Sequence, residues 1–284
     1  MAQFKILHRT IYDYHGPVQL GEHRFMLRPR DSHDLRIVNT DLTTEPAAKI
    51  EWMHDVFGNS IAIATFKGAT RSLAIESTLE LERFAGSMPK SRIEPQAQNY
   101  PFQYSSDDKA DLGKMLERRY PDPQGRLSAW VRGFIRSTPT NTLALLDDLN
   151  RGINKGLRYI AREAEGTQPP LQTLEFGSGT CRDYAFLMME AARTLGIGAR
   201  FVSGYFYDPA LDDGLAKGTT HAWAELYLPG VGWLEYDPTN ALISNVRLIR
   251  VAVTRDPSQA VPIRGTFSGG LFKEMRVEVS VHAQ

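Results

Sequence analysis

The chain has 284 residues, 42% of them hydrophobic and 23% charged, enough to bury one large core or two ordinary ones. Lys plus Arg and Asp plus Glu number 33 each, so no global field favours nucleic acid or an anionic membrane, and neither is expected as a partner. The single cysteine excludes an intrachain disulfide framework and a cysteine-rich zinc module.

The N-terminus, Met1 to His8, lacks a basic segment leading into a long apolar run. No stretch approaches the roughly 18 uninterrupted apolar residues of a membrane helix, which leads to the expectation of a cytoplasmic protein.

From Phe4 to Tyr14, Phe4, Ile6, His8, Thr10, Tyr12 and Tyr14 oppose Lys5, Arg9 and Asp13, a period of two that predicts a half-buried strand. Leu73, Ile75, Ser77, Leu79 and Leu81 repeat it against Ala74, Glu76, Thr78, Glu80 and Glu82. Between them, short strands are predicted over Arg24–Arg28, Arg36–Thr44, Lys49–Val56 and Ser60–Phe66, punctuated by Pro29, Pro46 and Gly58-Asn59. Strands spaced this way point to an antiparallel, sandwich-like β domain over residues 1–90. Five of the seven histidines, His8, His15, His23, His33 and His54, fall here, but their spacing fits no compact ligand set, so no metal is assigned.

Ala85 to Tyr104 carries Pro89, Pro95 and Pro101 and reads as a connection, its linker proper at 91–104. A second domain, 105–284, then begins with helical periods. Leu112, Met115, Leu116 and Tyr120 share a face before Pro121; Leu127, Trp130, Val131, Phe134 and Ile135 form another; Leu145, Leu146, Leu149 and Ile153 form a third behind Thr140 or Asn141 as cap. Leu157 to Ile160 reads as extended, and Gly166 to Gly179 as a long irregular stretch.

The lone cysteine follows in Gly177-Ser178-Gly179-Thr180-Cys181. Tyr184, Leu187, Met188, Ala191 and Leu195 keep helical spacing up to Gly196, which puts Cys181 in the first turn of a helix. A thiol there has its backbone N–H unclaimed by the helix ladder and feels a partial positive charge that favours thiolate. Ala199 to Tyr207 predicts a strand, Asp208 to Gly218 a loop, and His221–Leu228 and Trp233–Asp237 the two arms of a hairpin turned at Pro229 to Gly232. His221 and Asp237 then lie near the open end of paired strands.

A thiol attacking an amide or ester needs an imidazole to take and return its proton, and the imidazole needs an acceptor to orient it. Cys181, His221 and Asp237 supply those roles in that order.

The residues Gly179-Thr180-Cys181-Arg182-Asp183-Tyr184-Ala185, Ala199 to Tyr205, His221-Ala222-Trp223, Gly232-Trp233 and Asp237-Pro238-Thr239-Asn240 resemble the bacterial transglutaminase-like cysteine hydrolase family of the papain-like group. His8 to Tyr14, Leu27-Arg28-Pro29 and Asp55 to Asn59 extend the resemblance to that family's N-terminal β region. It implies an α+β fold in which a cysteine-bearing helix packs on an antiparallel sheet. It also implies Cys181 as nucleophile, His221 as base and Asp237 as orienting carboxylate, with Trp223 and Tyr205 near the cleft. Gln172 is a candidate second oxyanion donor by analogy with an upstream glutamine in papain-like enzymes.

Two positions depart from the family's pattern, Thr180 in place of an aliphatic residue and Phe186 in place of a histidine. A third departure is Leu248 to Pro257, which replaces a polar segment. The last strand, Met275 to Val281, is expected to return to the N-terminal sheet. The expected activity is thiol-dependent hydrolysis of a peptide or protein amide through an acyl-thioester, without a cofactor. Transfer of the acyl group to an amine, and a non-catalytic binding module on the same fold, are the alternatives.

Overall fold

The computed structural model describes residues 1–84, 92–161, 166–209 and 219–283. The first region is one antiparallel sheet. β1 (Ala2–Phe25), β2 (Leu35–Glu45), β3 (Lys49–His54), β4 (Ser60–Thr65) and β5 (Ala69–Arg83) are ordered β2-β5-β1-β4-β3. Where the sequence pattern separates Phe4–Tyr14 from Arg24–Arg28, a single 24-residue strand runs through. Gly16-Pro17 looks like a break in sequence. In β1 it occupies the gap between Asp13 and Val18 where the pairing with β5 is interrupted, so the missing N–H of Pro17 costs no ladder bond.

The connection contains β6 (Asn99–Tyr100), and its residues 85–91 lie outside the described residues. Helix α1 (Ser106–Leu112) starts at the capping side chain of Ser105. It ends earlier than the Leu112 to Tyr120 spacing predicts, because Gly113 takes a positive φ of 45° and the chain tightens into a single 3₁₀ turn. α2 (Arg126–Arg132) stops before Phe134 and Ile135, which pack on the core from beyond its end. β7 (Thr140–Asn141) leads into α3 (Thr142–Gly156), where the Asn141 side chain accepts from Ala144 N.

β8 (Arg158–Tyr159), α4 (Pro170–Phe176) and β9 (Ser178–Gly179) precede the cysteine helix, α5 (Cys181–Thr194). The sequence reading takes 166–179 as irregular; α4 forms there because Pro170 sits in its first turn, where a proline's fixed φ suits the helix and its absent N–H is not missed.

The second sheet follows as β10 (Ala199–Phe206), β11 (Thr219–Leu228), β12 (Gly232–Asp237), β13 (Leu242–Ile243) and β14 (Leu248–Thr254), ordered β13-β12-β11-β10-β14 and antiparallel throughout. The departing segment Leu248 to Pro257 is therefore mostly an edge strand of this sheet. Most of the predicted loop before β11, 210–218, lies outside the described residues.

The chain closes with β15 (Ile263–Gly269) and β16 (Phe272–Ala283), both paired with β1 along nearly its whole length. The architecture is α+β: a β region followed by a helix packed on an antiparallel sheet.

Three of the apolar clusters do most to hold this together. One is formed by the first sheet around Tyr14, Phe25, Ala62 and Leu73. The largest joins the helices to the second sheet, with Leu187, Met188 and Ala191 of α5 against Phe201, Ala224 and Tyr236. The third packs Phe4, Ile6, Leu79 and Leu81 of the first sheet on Tyr205, Ile249 and Val251 of the second. Polar ties reinforce that contact. The Asn59 side chain donates to Val253 O at 2.7 Å and accepts from Val253 N at 2.9 Å, completing both bonds that a strand neighbour would make.

Candidate active site

Cys181 is the first residue of α5, and a reciprocal cap holds it there. Thr180 Oγ1 accepts from Asp183 N, while Asp183 Oδ2 accepts from Thr180 N at 2.9 Å and Thr180 Oγ1 at 3.0 Å. The buried Asp183 also takes Gln168 N at 2.6 Å through Oδ1. Thr180, the departure from the family's aliphatic residue, is thus the helix cap. Gly179 leaves room for this turn, since a Cβ there would lie 2.9 Å from Asp183 Cβ and 3.3 Å from the Tyr184 ring. Arg182 points away from the site, its guanidinium over Phe201 at 4.8 Å and donating to Pro257 O at 2.7 Å.

His221 and Asp237 meet across the hairpin. Ala224 pairs with Tyr236, so Trp223 falls opposite Asp237 and His221 is two residues further on, the diagonal neighbour on the same face. His221 Nε2 stands 3.0 Å from Asp237 Oδ2, both side chains buried. Asp237 is held by its own turn: Oδ1 accepts from the N–H groups of Thr239 at 3.0 Å and Asn240 at 3.4 Å, and Oδ2 accepts from Asn240 Nδ2 at 2.8 Å. Asp-Pro-Thr-Asn is therefore a clamp on the carboxylate as well as a turn.

The imidazole lies against Trp223, nearly parallel at 6.0 Å between centroids, and against Phe206 at 5.3 Å. Asn240 Nδ2 stands 3.4 Å from the same Nε2, and Cys181 lies close enough for its side chain to act on the ring's pKa. Burial pulls the His221 pKa down, but Asp237 by charge and hydrogen bond, with Cys181 beside it, more than reverses this and raises it to about 10. The ring is poised to hold a proton next to sulfur.

Of the three cleft candidates, the structure brings one to this cluster. Trp223 is fully buried behind His221, its ring over Gly204, where a Cβ would lie 2.9 Å from the indole and 2.1 Å from Ile249 O. Tyr205 is elsewhere: its hydroxyl bonds His8 Nδ1 at 2.9 Å in the contact between the two sheets. Gln172 sits exposed on α4, so the analogy with an upstream glutamine does not carry to a buried donor. Phe186, the other departure from the family's pattern, is buried in the helix core, T-shaped to Tyr120 at 5.2 Å.

Tyr159 escaped the sequence reading. Parallel pairing of β8 with β9 sets Tyr159 beside Gly179, with Ile160 N donating to Gly179 O at 3.0 Å, and its side chain lies close enough to Cys181 for the sulfur to act on its pKa. Its ring stands edge-on to Tyr184 at 6.2 Å. Burial first, then the neighbouring Cys181 and Asp183, push its phenol above the ordinary range, so it stays a proton donor at neutral pH.

The expected scattering of histidines can be followed for two of the five: buried His8 bonds Tyr205, and His23 bonds Gly21 O at 2.9 Å. Among the described residues no three His, Cys, Asp or Glu converge as a metal-binding group. Nor is any described helix long and apolar enough to cross a membrane.

A cysteine at a helix start facing a His–Asp pair on an antiparallel sheet defines a class, and the comparisons specify it. Residues 4–82 match the bacterial transglutaminase-like N-terminal region, and residues 128–238 match the transglutaminase-like superfamily. The chain thus carries a transglutaminase-like core preceded by the N-terminal region found in bacterial transglutaminase-like proteins. An uncharacterised protein from Mycobacterium leprae is 23% identical over 300 residues covering 99% of each chain. One from Mycobacterium tuberculosis is 26% identical over 274 residues, 93% of this chain and 87% of its own. A crystal structure of a candidate cysteine protease from Cytophaga hutchinsonii shares the fold, with a TM-score of 0.68 at 19% identity over 99% of this chain and 90% of that one. Superfamily and fold together support a cysteine-type enzyme.

Proposed function

We propose that the protein is a thiol-dependent amide hydrolase that works through Cys181, His221 and Asp237. The observation that carries this reading is the buried His221–Asp237 pair at 3.0 Å, with Cys181, the first residue of α5, near enough to act on the imidazole. Asp237 accepts from Nε2–H and so reserves Nδ1 of His221 for the sulfur.

In this mechanism Nδ1 already holds the proton given up by Cys181, and the thiolate attacks the carbonyl carbon of a peptide or protein amide. The oxygen gains charge while it faces two donors, the free backbone N–H of Cys181 and the Tyr159 hydroxyl. The imidazolium then protonates the departing nitrogen, the C–N bond breaks and an acyl-thioester remains on Cys181. Water, deprotonated by the same imidazole, attacks the thioester; the C–S bond breaks and the proton returns to sulfur.

The test is acylation of the whole protein with p-nitrophenyl acetate and a panel of peptide amides, read by peptide mapping and by product release. The reading predicts an acyl group on Cys181 that Cys181→Ala lacks and that turns over in water. Turnover only when an amine is added would indicate acyl transfer to amines instead. Absence of acylation by every donor would favour a binding module on this fold.

A further inference from the structure

The hairpin that carries His221 and Asp237 has a built-in electrostatic conflict. Glu225 lies directly opposite Glu235 in the β11–β12 register, four residues after His221 and two before Asp237. Both side chains are buried. Like charges facing each other across a strand pair are destabilising, and burial removes the water that would screen them.

Three arginines resolve the conflict, and they come from different places. Arg200 on β10 bonds Glu225 Oε2 at 2.5 Å, and Arg250 on β14 bonds Glu225 Oε1 at 2.9 Å. Arg250 reaches Glu235 only at 4.0 Å, its other nitrogen standing 3.5 Å from Asp34. The close cation of Glu235 is Arg83, at the end of β5 in the N-terminal region: Nη2 donates to Oε2 at 3.1 Å. Arg83 is itself locked, with Nε on Leu248 O at 3.1 Å and Nη1 on the Asp34 carboxylate and backbone oxygen. It is a bridge from the first sheet through β14 to β12.

We infer that Arg83 is a positioning residue for the candidate site, the N-terminal region's contribution to holding β12 against β11 so that Asp237 stays on His221. Without its charge, Glu235 faces Glu225 with only the distant Arg250. It then relaxes by taking a proton or by moving β12 away, and Asp237 moves with that strand. This inference rests on the catalytic reading above. It assigns the N-terminal region a share in the chemistry, through side chains that touch neither sulfur nor imidazole.

The experiment uses the full chain and compares iodoacetamide alkylation of Cys181 at pH 7.5, where Glu235 is mainly ionised, with thermal melting, for wild type, Arg83→Met, Arg83→Lys, Glu235→Gln and Arg83→Met with Glu235→Gln. Coupled neighbours commonly interact strongly enough to expect about tenfold slower alkylation in Arg83→Met and recovery to within about threefold of wild type once Glu235 is also neutral. Arg83→Lys, which keeps a charge but not the three-way grip, falls between and carries the comparison if Arg83→Met does not fold.

A purely structural Arg83 would lower the melting temperature and leave the folded protein's thiol rate unchanged, and that result overturns the proposal. So does a slowed thiol that Glu235→Gln fails to restore. If wild-type Cys181 reacts no faster than its His221→Ala variant, the catalytic reading falls and this one with it. A His221-dependent thiol indifferent to Arg83 removes this inference alone.

Discussion

Asp237 Oδ2 lies 3.0 Å from His221 Nε2, and the same oxygen takes the Asn240 amide at 2.8 Å. One carboxylate oxygen therefore fixes the imidazole tautomer while its own position is set by the turn that follows it. Asp237→Asn keeps the size and removes the charge, so His221 loses the largest influence that opposes burial and its pKa drops from about 10. Acylation of Cys181 by p-nitrophenyl acetate should then slow by about 10²- to 10⁴-fold, the usual worth of a general acid–base system. A loss of less than about threefold would mean that the carboxylate is not orienting a working base.

Tyr159→Phe removes the hydroxyl beside the sulfur and leaves the ring on Tyr184. As an oxyanion donor it should cost about 10²-fold in the acylation rate at saturating ester, the lower end for such donors. The rate of simple alkylation, which forms no oxyanion, should be little changed. An equal loss in both reactions would make Tyr159 a support for the thiolate instead.

Thr180→Ala deletes one half of the cap that starts α5 and leaves Asp183 with one donor fewer. A loss of about 1 kcal/mol is expected, read as a lower urea midpoint at unchanged slope. Cys181 should also become less uniform in reactivity, because the residue that opens the helix is no longer pinned to it. An unchanged midpoint would show that the Asp183 side chain caps the helix alone.

Glu235 is raised to about 7, by burial first and by Glu225, with Arg83 opposing. Between its ordinary value and 7 the folded chain retains a proton that the unfolded chain has released. This group therefore subtracts stability as pH rises through that window, and the deficit is complete above it. Glu235→Gln cannot titrate. Its melting temperature relative to wild type should rise from pH 4.5 to pH 7.5, measured in a series of matched buffers. A flat or falling difference would show that Glu235 is ionised throughout.

Much of this arrangement is legible in the sequence, for physical reasons that differ by element. α5 is visible because Tyr184, Leu187, Met188, Ala191 and Leu195 repeat at the helical period and all face one core. The meeting of His221 with Asp237 follows from counting outward along a hairpin, since register is local once the turn is known. Tyr205 shows the limit of that reasoning. Alternation in β10 says that it is buried but not against what, and the first sheet, more than a hundred residues upstream, supplies the neighbour His8.

Tyr159 and the Arg83–Glu235–Glu225 network were illegible for a related reason. A two-residue strand has no period to detect, and charges paired across 152 positions leave no local mark. α4 was hidden differently, since two adjacent prolines read as a breaker when one of them opens a helix.

The central claim is that His221 activates Cys181, and the pH dependence of Cys181 alkylation tests it most directly, in wild type beside His221→Ala. The account predicts rapid alkylation that persists well below pH 8 in wild type. His221→Ala should shift the profile up toward the pKa of about 8.5 of an ordinary free thiol. Superimposable profiles, both titrating near that value, would contradict it.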